Sequence, residues 1–134
     1  VAEEARVLAG VTEQPLTVLA LLDARMDEVY SAAYDWDGQC WTPRQPLQVG
    51  PPQHTLLPDA PRVLLAGNAF EAYGQRLPVG ERVHALPTAA ALLRLAPGLF
   101  AQGQAVPAEQ AMPLYIRDKV AQTTAEREAA RSAT

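Results

Sequence analysis

The sequence has little cysteine, little histidine, no excess of basic charge and no long apolar stretch. Cys40 is the only cysteine, which excludes an internal disulfide framework and any metal site built from several cysteines. A lone thiol is typical of reducing compartments and predicts a cytoplasmic protein. With 11 lysines and arginines against 15 aspartates and glutamates, the net charge is -4, so we expect no basic nucleic-acid-binding face. The apolar runs are shorter than the ~20 residues that a membrane-spanning helix needs, which predicts no membrane association.

The remaining composition is typical of one folded domain. The 134 residues are 49% hydrophobic and 19% charged, which is enough apolar surface for a core at this length. There is no initiator methionine, and Val1 opens directly into helix-like sequence. The sequence therefore predicts that the chain is a piece of a longer protein.

The first half of the chain predicts a helix followed by a three-stranded antiparallel meander. Residues 1–10 resemble the end of a helix that stops at Gly10. Apolar runs predict strands at residues 17–24 and 28–35, and residues 39–42 return as a third strand after a glycine turn. Six prolines in residues 43–61 predict an irregular connector, in which residues 47–49 extend an edge strand.

The second half predicts further strands and one amphipathic helix. Strands are expected at residues 62–66 and 82–86, with a helical turn at 69–73. Thr88 is a candidate N-cap for a helix whose apolar residues recur every three or four positions. Pro97 followed by glycine should kink or split that helix, and Gly103 should end it. A connector with a short extended piece follows at residues 105–117, and the polar residues 118–134 predict a frayed helix or a disordered tail.

The residue types that bind metals or phosphates occur without the spacing that such sites need. His54 and His84 are thirty residues apart, so they form no metal-ligand pair and are expected in loops or on the surface. Gly67 and Asn68 follow an apolar run and form the one place where the backbone could approach a phosphate closely. A strand-to-helix turn is the favoured interpretation there. We therefore predict no metal and no cofactor.

Candidate nucleophiles are equally sparse. Cys40 adjoins Trp41 in a predicted strand, and no nearby base is indicated, so a packed small side chain is favoured over a catalytic thiol. Ser31 and Ser132 are the only serines, and neither lies in a nucleophile elbow. The sequence thus predicts no catalytic residue.

The densest polar cluster lies at the first predicted hairpin. Asp23 ends an apolar strand, Arg25 lies in the break, and Glu28 starts the next strand, so the three side chains should crowd one end of the sheet. Paired carboxylates can carry out acid–base chemistry. A salt-bridged network that caps the turn is the favoured alternative, because arginine pairs well with carboxylates.

This cluster resembles the I-D-A-R-x-x-E-V-Y signature of the TsaB (YeaZ) family. A second block resembles the family's F-A-x-G and P-x-Y-L-R signatures, and a strand end of the V-x-x-A-G-N type lies between the two blocks at residues 63–68. The residues that we assign to structural roles in these signatures are Asp23, Arg25, Glu28, Tyr30, Pro113, Tyr115 and Arg117. The I-D-T-S-like and G-P-G-S-F-T-G-like blocks of the family are absent, so the chain resembles the family's C-terminal half.

The resemblance implies an α/β fold, namely one RNase H-like lobe of the actin-like ATPase (ASKHA) architecture, with a mixed sheet and flanking helices. Residues 1–117 would form this C-terminal lobe, and residues 118–134 a polar C-terminal tail. It further implies a non-catalytic scaffold that assembles with TsaD-like and TsaE-like proteins to make N6-threonylcarbamoyladenosine at position 37 of tRNA. A homodimer is also expected, and tRNA would be met only through the complex. The alternative is an enzyme: an actin-like ATPase lobe or a degenerate M22-type glycoprotease homologue.

Overall fold

The structure, a computed structural model, describes residues 1–117. Helix α1 (Ala2–Leu8) precedes three long strands, β1 (Leu16–Arg25), β2 (Glu28–Trp36) and β3 (Trp41–Gly50). Strand β4 (Val63–Gly67), helix α2 (Phe70–Tyr73), strand β5 (Glu81–His84) and helix α3 (Ala89–Ala101) follow. Single 3₁₀ turns lie at Pro52–His54 and Ala108–Gln110. No helix in residues 1–117 combines the length and the apolar character needed to cross a membrane.

The strands form one mixed sheet in the order β3-β2-β1-β4-β5. Strands β1, β2 and β3 pair antiparallel, which confirms the predicted meander. Strands β4 and β5 join in parallel beside β1. The central strand β1 is apolar along most of its length because both of its faces are buried.

Two hydrophobic clusters lie on opposite faces of the sheet. The α1 face packs Val18, Leu64 and Ala66 against Ala5 of α1. The α2 face packs Leu19, Leu21 and Leu65 against Phe70 and Tyr73 of α2, with further residues of the following loop. Alternation along β1 and β4 sends successive side chains to opposite faces, so one strand supplies both clusters.

Proline placement is where the structure departs from the predicted elements. Pro43 and Pro46 lie inside β3, not in an irregular connector, because β3 is an edge strand and half of its backbone groups need no ladder partner. Pro97 does not split α3. It removes only the hydrogen bond to the Leu93 carbonyl, and Leu93 is exposed, so water can reach that group.

Local signals at the helix ends are confirmed. The Thr88 hydroxyl accepts a hydrogen bond from the Ala91 amide at 3.1 Å, as an N-cap does. Gly10 and Gly103 have positive φ values of 66° and 69° after the helices that they end. The piece at residues 113–117 forms no strand, and the predicted tail at 118–134 lies outside the described residues.

Candidate functional site

The turn between β1 and β2 has an unusual backbone. Arg25, Met26 and Asp27 have φ values of 61°, 55° and 62°, so three consecutive non-glycine residues are left-handed. Arg25 pairs with Glu28, which leaves a two-residue loop, and such loops take positive φ because it matches the twist of the flanking strands. Each left-handed non-glycine residue costs of order 1 kcal/mol, so neighbouring contacts must hold this turn in place.

Asp23 provides the first of these contacts. One carboxylate oxygen accepts hydrogen bonds from the Arg25 amide at 2.8 Å and from the Tyr73 hydroxyl at 3.1 Å. The other oxygen lies 3.0 Å from a guanidinium nitrogen of Arg25. The amide of Arg25, assisted by Tyr73, lowers the pKa of Asp23 below its ordinary value. Asp23 is therefore an ionised, engaged carboxylate.

The end of β4 holds Asp23 from the neighbouring strand. The side-chain oxygen of Asn68 accepts a hydrogen bond from the Asp23 amide at 2.9 Å. Gly67 allows this close approach, since its φ is 146° and a Cβ atom there would lie 1.7 Å from the Leu21 carbonyl oxygen. The Gly67–Asn68 turn thus fixes the hairpin to β4.

Arg76 holds the tip of the turn. Its guanidinium forms two hydrogen bonds with the Asp27 carboxylate, at 2.5 and 2.8 Å, and a third with the Gln53 side chain at 2.8 Å. The same group lies 5.8 Å from the centre of the Tyr73 ring. These bonds lower the pKa of Asp27. A bidentate pair restricts geometry in a way that a lysine could not.

Arg117 brings the second signature block to the first. Its guanidinium donates to the Glu28 carboxylate and, at 3.0 Å, to the Ala24 carbonyl. It also lies 5.9 Å from the centre of the Tyr30 ring, within the range of a cation–π contact. Residues 89 positions apart in the chain therefore meet at one point of the sheet.

The structure brings five of the seven predicted signature residues together and leaves two apart. Asp23, Arg25, Glu28, Tyr30 and Arg117 share the hairpin end of the sheet, which we call the signature cluster. Pro113 and Tyr115 lie outside it in the preceding coil, and Tyr115 is 84% exposed. The structural role of these residues stays a prediction.

Sequence reasoning missed three members of this end of the molecule: Tyr73, Arg76 and Asp27 as an ion-pair partner. Among the residues that hold the hairpin from other parts of the chain, only Asn68 gave a local signal, as a polar residue directly after the glycine at a strand end. Tyr73 and Arg76 come from a short helix and the loop after it, whose positions depend on the whole sheet. Their contacts with the hairpin span 49 or 50 residues of sequence.

A second polar cluster, also missed, lies at the opposite end of β2. Glu3 is 4% exposed and accepts hydrogen bonds from Arg6 at 2.8 Å, Trp41 at 3.0 Å and Arg94 at 3.0 Å. We call this group the Glu3 cluster. Burial alone would raise the pKa of Glu3, but these three donors outweigh it and lower the pKa. In the sequence, Glu3 resembles any acidic residue in a first helical turn.

The remaining candidates are placed apart from both clusters. The Cys40 thiol donates to the Asp37 carboxylate at 3.2 Å, and this hydrogen bond raises the pKa of Cys40, which disfavours the nucleophilic thiolate. His54 and His84 are exposed, one in a 3₁₀ turn and one in β5. Within residues 1–117, no group of three or more histidine, cysteine, aspartate or glutamate side chains is arranged to hold a metal ion.

A cleft of about 1060 Å3 opens on the α1 face, over the part of the sheet that α1 leaves uncovered. Its floor is formed by Leu22 of β1 with Tyr30 and Tyr34 of β2, and Leu95 of α3 lines one wall. Tyr30 belongs to both the floor and the signature cluster, so the cleft ends where Arg117 binds.

Comparison with known proteins identifies relatives among solved structures. No family profile and no curated protein sequence matches the chain. YeaZ from Pseudomonas aeruginosa is 36% identical over 85% of this chain, with a TM-score of 0.72. A Pseudomonas aeruginosa protein described as similar to the peptidase YeaZ is 34% identical over 87% of this chain, with a TM-score of 0.74. This chain spans 54% of the length of each.

These matches confirm the predicted fold class. The five-stranded mixed sheet with flanking helices corresponds to one lobe of the YeaZ (ASKHA) fold. At this level of identity the likeness extends to sequence as well as to topology.

Proposed function

This chain belongs to the YeaZ (TsaB) family, which it matches over about half the length of two solved relatives, and from that premise we propose that it acts as a non-catalytic scaffold in the assembly that makes N6-threonylcarbamoyladenosine at position 37 of tRNA. In this proposal, residues 1–117 are the C-terminal RNase H-like lobe of the scaffold and residues 118–134 its polar tail. A TsaD-like protein carries out the chemistry, a TsaE-like protein completes the assembly, and tRNA is held by the partner subunits.

The observation that carries the proposal is the contact between the two signature blocks. Arg117 of the second block is bound by Glu28, Ala24 and Tyr30 of the first. Residues of the two signature blocks are therefore in direct contact with one another. Such mutual engagement supports a role in fixing the shape of a subunit.

The state of the carboxylates also supports a non-catalytic role. A general acid or base works best with a pKa near the working pH, which for a carboxylate requires an upward shift. Hydrogen bonds shift the pKa of Asp23 and Asp27 in the opposite direction. Both are weak bases, and their oxygens are occupied by Arg25, Tyr73 and Arg76.

The first test is depletion of the protein that carries this chain, followed by mass spectrometry of the tRNA nucleosides. We expect N6-threonylcarbamoyladenosine to fall in proportion to the depletion and to return when the protein is restored. Unchanged levels of the modified nucleoside would contradict the assignment.

The second test separates a scaffold from an enzyme. In a reconstituted reaction with TsaD-like and TsaE-like partners, we expect Cys40→Ala, His54→Ala and His84→Ala to retain nearly full activity. A loss of more than about a hundredfold, the scale for removing a general acid or base, would favour the enzyme hypothesis. A nucleotide titration of the protein without its partners distinguishes the ATPase alternative, which requires saturable binding.

A further inference from the structure

Helix α3 leaves most of its large apolar side chains exposed. Ala91 is buried against the molecule, whereas Leu92, Leu93, Leu99 and Phe100 are 62%, 73%, 39% and 68% exposed. An amphipathic helix normally turns such residues toward the core. A contiguous exposed apolar face of this kind is typical of an interaction surface.

The exposed residues form one stripe along the helix. At 3.6 residues per turn, these four residues and Ala96 lie within about one third of the helix circumference. We call the five residues the α3 stripe. Leu99 also lines the cleft on the α1 face, so the stripe borders the cleft along one side.

Polar contacts with α1 hold α3 in place and leave the stripe without charge. The Thr88 hydroxyl donates to Glu4 at 2.9 Å, and Arg94 donates to Glu3 at 3.0 Å and to Glu4 at 2.6 Å. Arg94 is the only charged residue of α3, and α1 engages it. A surface that docks on the stripe therefore meets no charge on α3 that it would have to pair or desolvate.

The spacing of the stripe is self-complementary. Leu92 and Leu99 are seven residues apart, as are Leu93 and Phe100, and Ala96 lies between the members of both pairs. Seven residues make about two helical turns, so each pair runs along one side of the stripe. In an antiparallel pair of α3 helices related by a two-fold axis at Ala96, each Leu92 faces Leu99 of the other copy. Each Leu93 faces Phe100 of the other copy in the same way. Such reciprocal contacts define an isologous interface.

We propose that the α3 stripe binds the α3 stripe of a second copy of this chain, in this antiparallel arrangement. The small side chain of Ala96 at the axis lets the two backbones approach closely, since the distance between packed helices depends on the side chains at their contact. Two short helices bury less than about 1,200 Å2, the range of weak and reversible interfaces, so the dimer forms and dissociates with concentration. The inference does not rest on the proposed role in tRNA modification.

Analytical ultracentrifugation of the 134-residue chain over a range of concentrations gives the first test. We expect a monomer–dimer equilibrium, and we expect Leu93→Lys and Phe100→Glu each to raise the dimer dissociation constant by at least about tenfold, because each places an unpaired charge in the interface. The control Val79→Glu adds a charge at an exposed apolar residue before β5 and should leave the constant unchanged. A chain that stays monomeric up to about 1 mM, or a dimer that neither stripe variant weakens, would overturn the proposal.

Mixing the two stripe variants tests the antiparallel order. In a mixed dimer, the lysine introduced at position 93 of one copy faces the glutamate introduced at position 100 of the other, and the remaining Leu93 faces the remaining Phe100. The mixture should therefore dimerise at a total concentration at which each variant alone is monomeric. A mixture that stays monomeric would overturn this arrangement.

A cysteine variant keeps the test valid if the charged variants fail to fold. In a Cys40→Ala background, Ala96→Cys places a thiol of each copy at the two-fold axis. We expect oxidised glutathione to link it into a disulfide-bonded dimer several-fold faster than it links Ala90→Cys, whose exposed position on α3 lies outside the stripe. Equal rates of cross-linking at the two positions would overturn the proposal.

Discussion

The two ends of β2 carry polar clusters of opposite character. In the Glu3 cluster, a carboxylate that is 4% exposed joins α1, β3 and α3 through three donors. In the signature cluster, Asp23 forms an ion pair with Arg25, whose side chain is 87% exposed. We therefore expect the exposed Asp23–Arg25 pair to contribute less to folding stability than the buried Glu3 does.

The difference follows from what each cluster joins. Glu3 binds Arg94, which lies 91 residues away in the sequence. Loss of the Glu3 charge would therefore remove contacts that connect α1 with β3 and α3. Asp23 and Arg25 are two residues apart and constrain mainly the turn that contains them. Buried charges depend on their partners far more than exposed charges do.

The largest expected loss of stability comes from a substitution of Glu3. Glu3→Ala should lower the free energy of unfolding by about 3 kcal/mol, because it leaves Arg6 and Trp41 without their buried acceptor. Urea denaturation measures the change. The control Glu71→Ala alters an exposed glutamate of α2 and should be nearly neutral. A similar loss of stability in both variants would show that the effect of Glu3→Ala does not come from its buried contacts.

The contribution of Glu3 should also disappear in acid. Its folded-state pKa lies below the ordinary value of 4.5, so its stabilising effect is complete above that pH and is lost as the pH falls through the lower value. The difference in unfolding free energy between the unchanged chain and Glu3→Gln should therefore be constant above about pH 5.5 and shrink below pH 4.5. A difference that grows in acid would contradict this sign.

Substitution of Arg117 should give the next largest change in the free energy of unfolding. Arg117→Ala removes two charged or carbonyl hydrogen bonds, and we expect a loss of about 2 kcal/mol in a thermal or urea titration. Arg117→Lys should recover less than half of that loss, because an ammonium group cannot reproduce the stacking on Tyr30 and both hydrogen bonds. Full recovery of stability in Arg117→Lys would show that only the positive charge of Arg117 contributes.

A substitution at Met26 should raise the free energy of unfolding and not lower it. It is 65% exposed and left-handed, so Met26→Gly removes a steric cost while it deletes little packing. We expect a gain of about 1 kcal/mol in unfolding free energy. Val79→Gly changes an exposed apolar residue without a positive φ and should not stabilise. A loss of stability in Met26→Gly would show that the Met26 side chain has a packing role.

The smallest effect is expected at Arg25. Arg25→Ala should change the unfolding free energy by well under 1 kcal/mol, the scale of an exposed ion pair. The Asp23 carboxylate keeps its hydrogen bonds from the Arg25 amide and from Tyr73. Unchanged melting together with a loss of tRNA modification in the reconstituted assembly would identify Arg25 as a residue that contacts a partner. The signature cluster would then differ from the Glu3 cluster in function as well as in stability.

Local signals predicted the fold better than they predicted the contacts. The Thr88 cap and the terminal glycines depend only on neighbouring residues, so they could be identified from the sequence. The strand status of Pro43 and Pro46 could not, because it depends on β3 being at the edge of the sheet. Pro97 was expected to break a helix that tolerates it where water reaches the freed carbonyl.

In the candidate site too, the sequence predicted the local arrangement but not the long-range contacts. The turn from Asp23 to Glu28 was predicted to crowd one end of the sheet, and it does. The partner of Glu28 is Arg117, and both residues were recognised as signature residues without any sign that they meet. Glu3 and Arg94 gave no signal, because nothing in a run of helix-forming residues marks the one carboxylate that becomes buried.

The prolines of β3 have a consequence beyond the fold of a single chain. An unpaired strand edge offers backbone donors and acceptors on which another chain can add a strand and begin an aggregate. Pro43 and Pro46 supply no N–H group, and register irregularities in the β2–β3 pairing further disturb the regular spacing that an added strand would need. The opposite edge is β5, only four residues long. Both edges of the described sheet are therefore poor templates for an added strand.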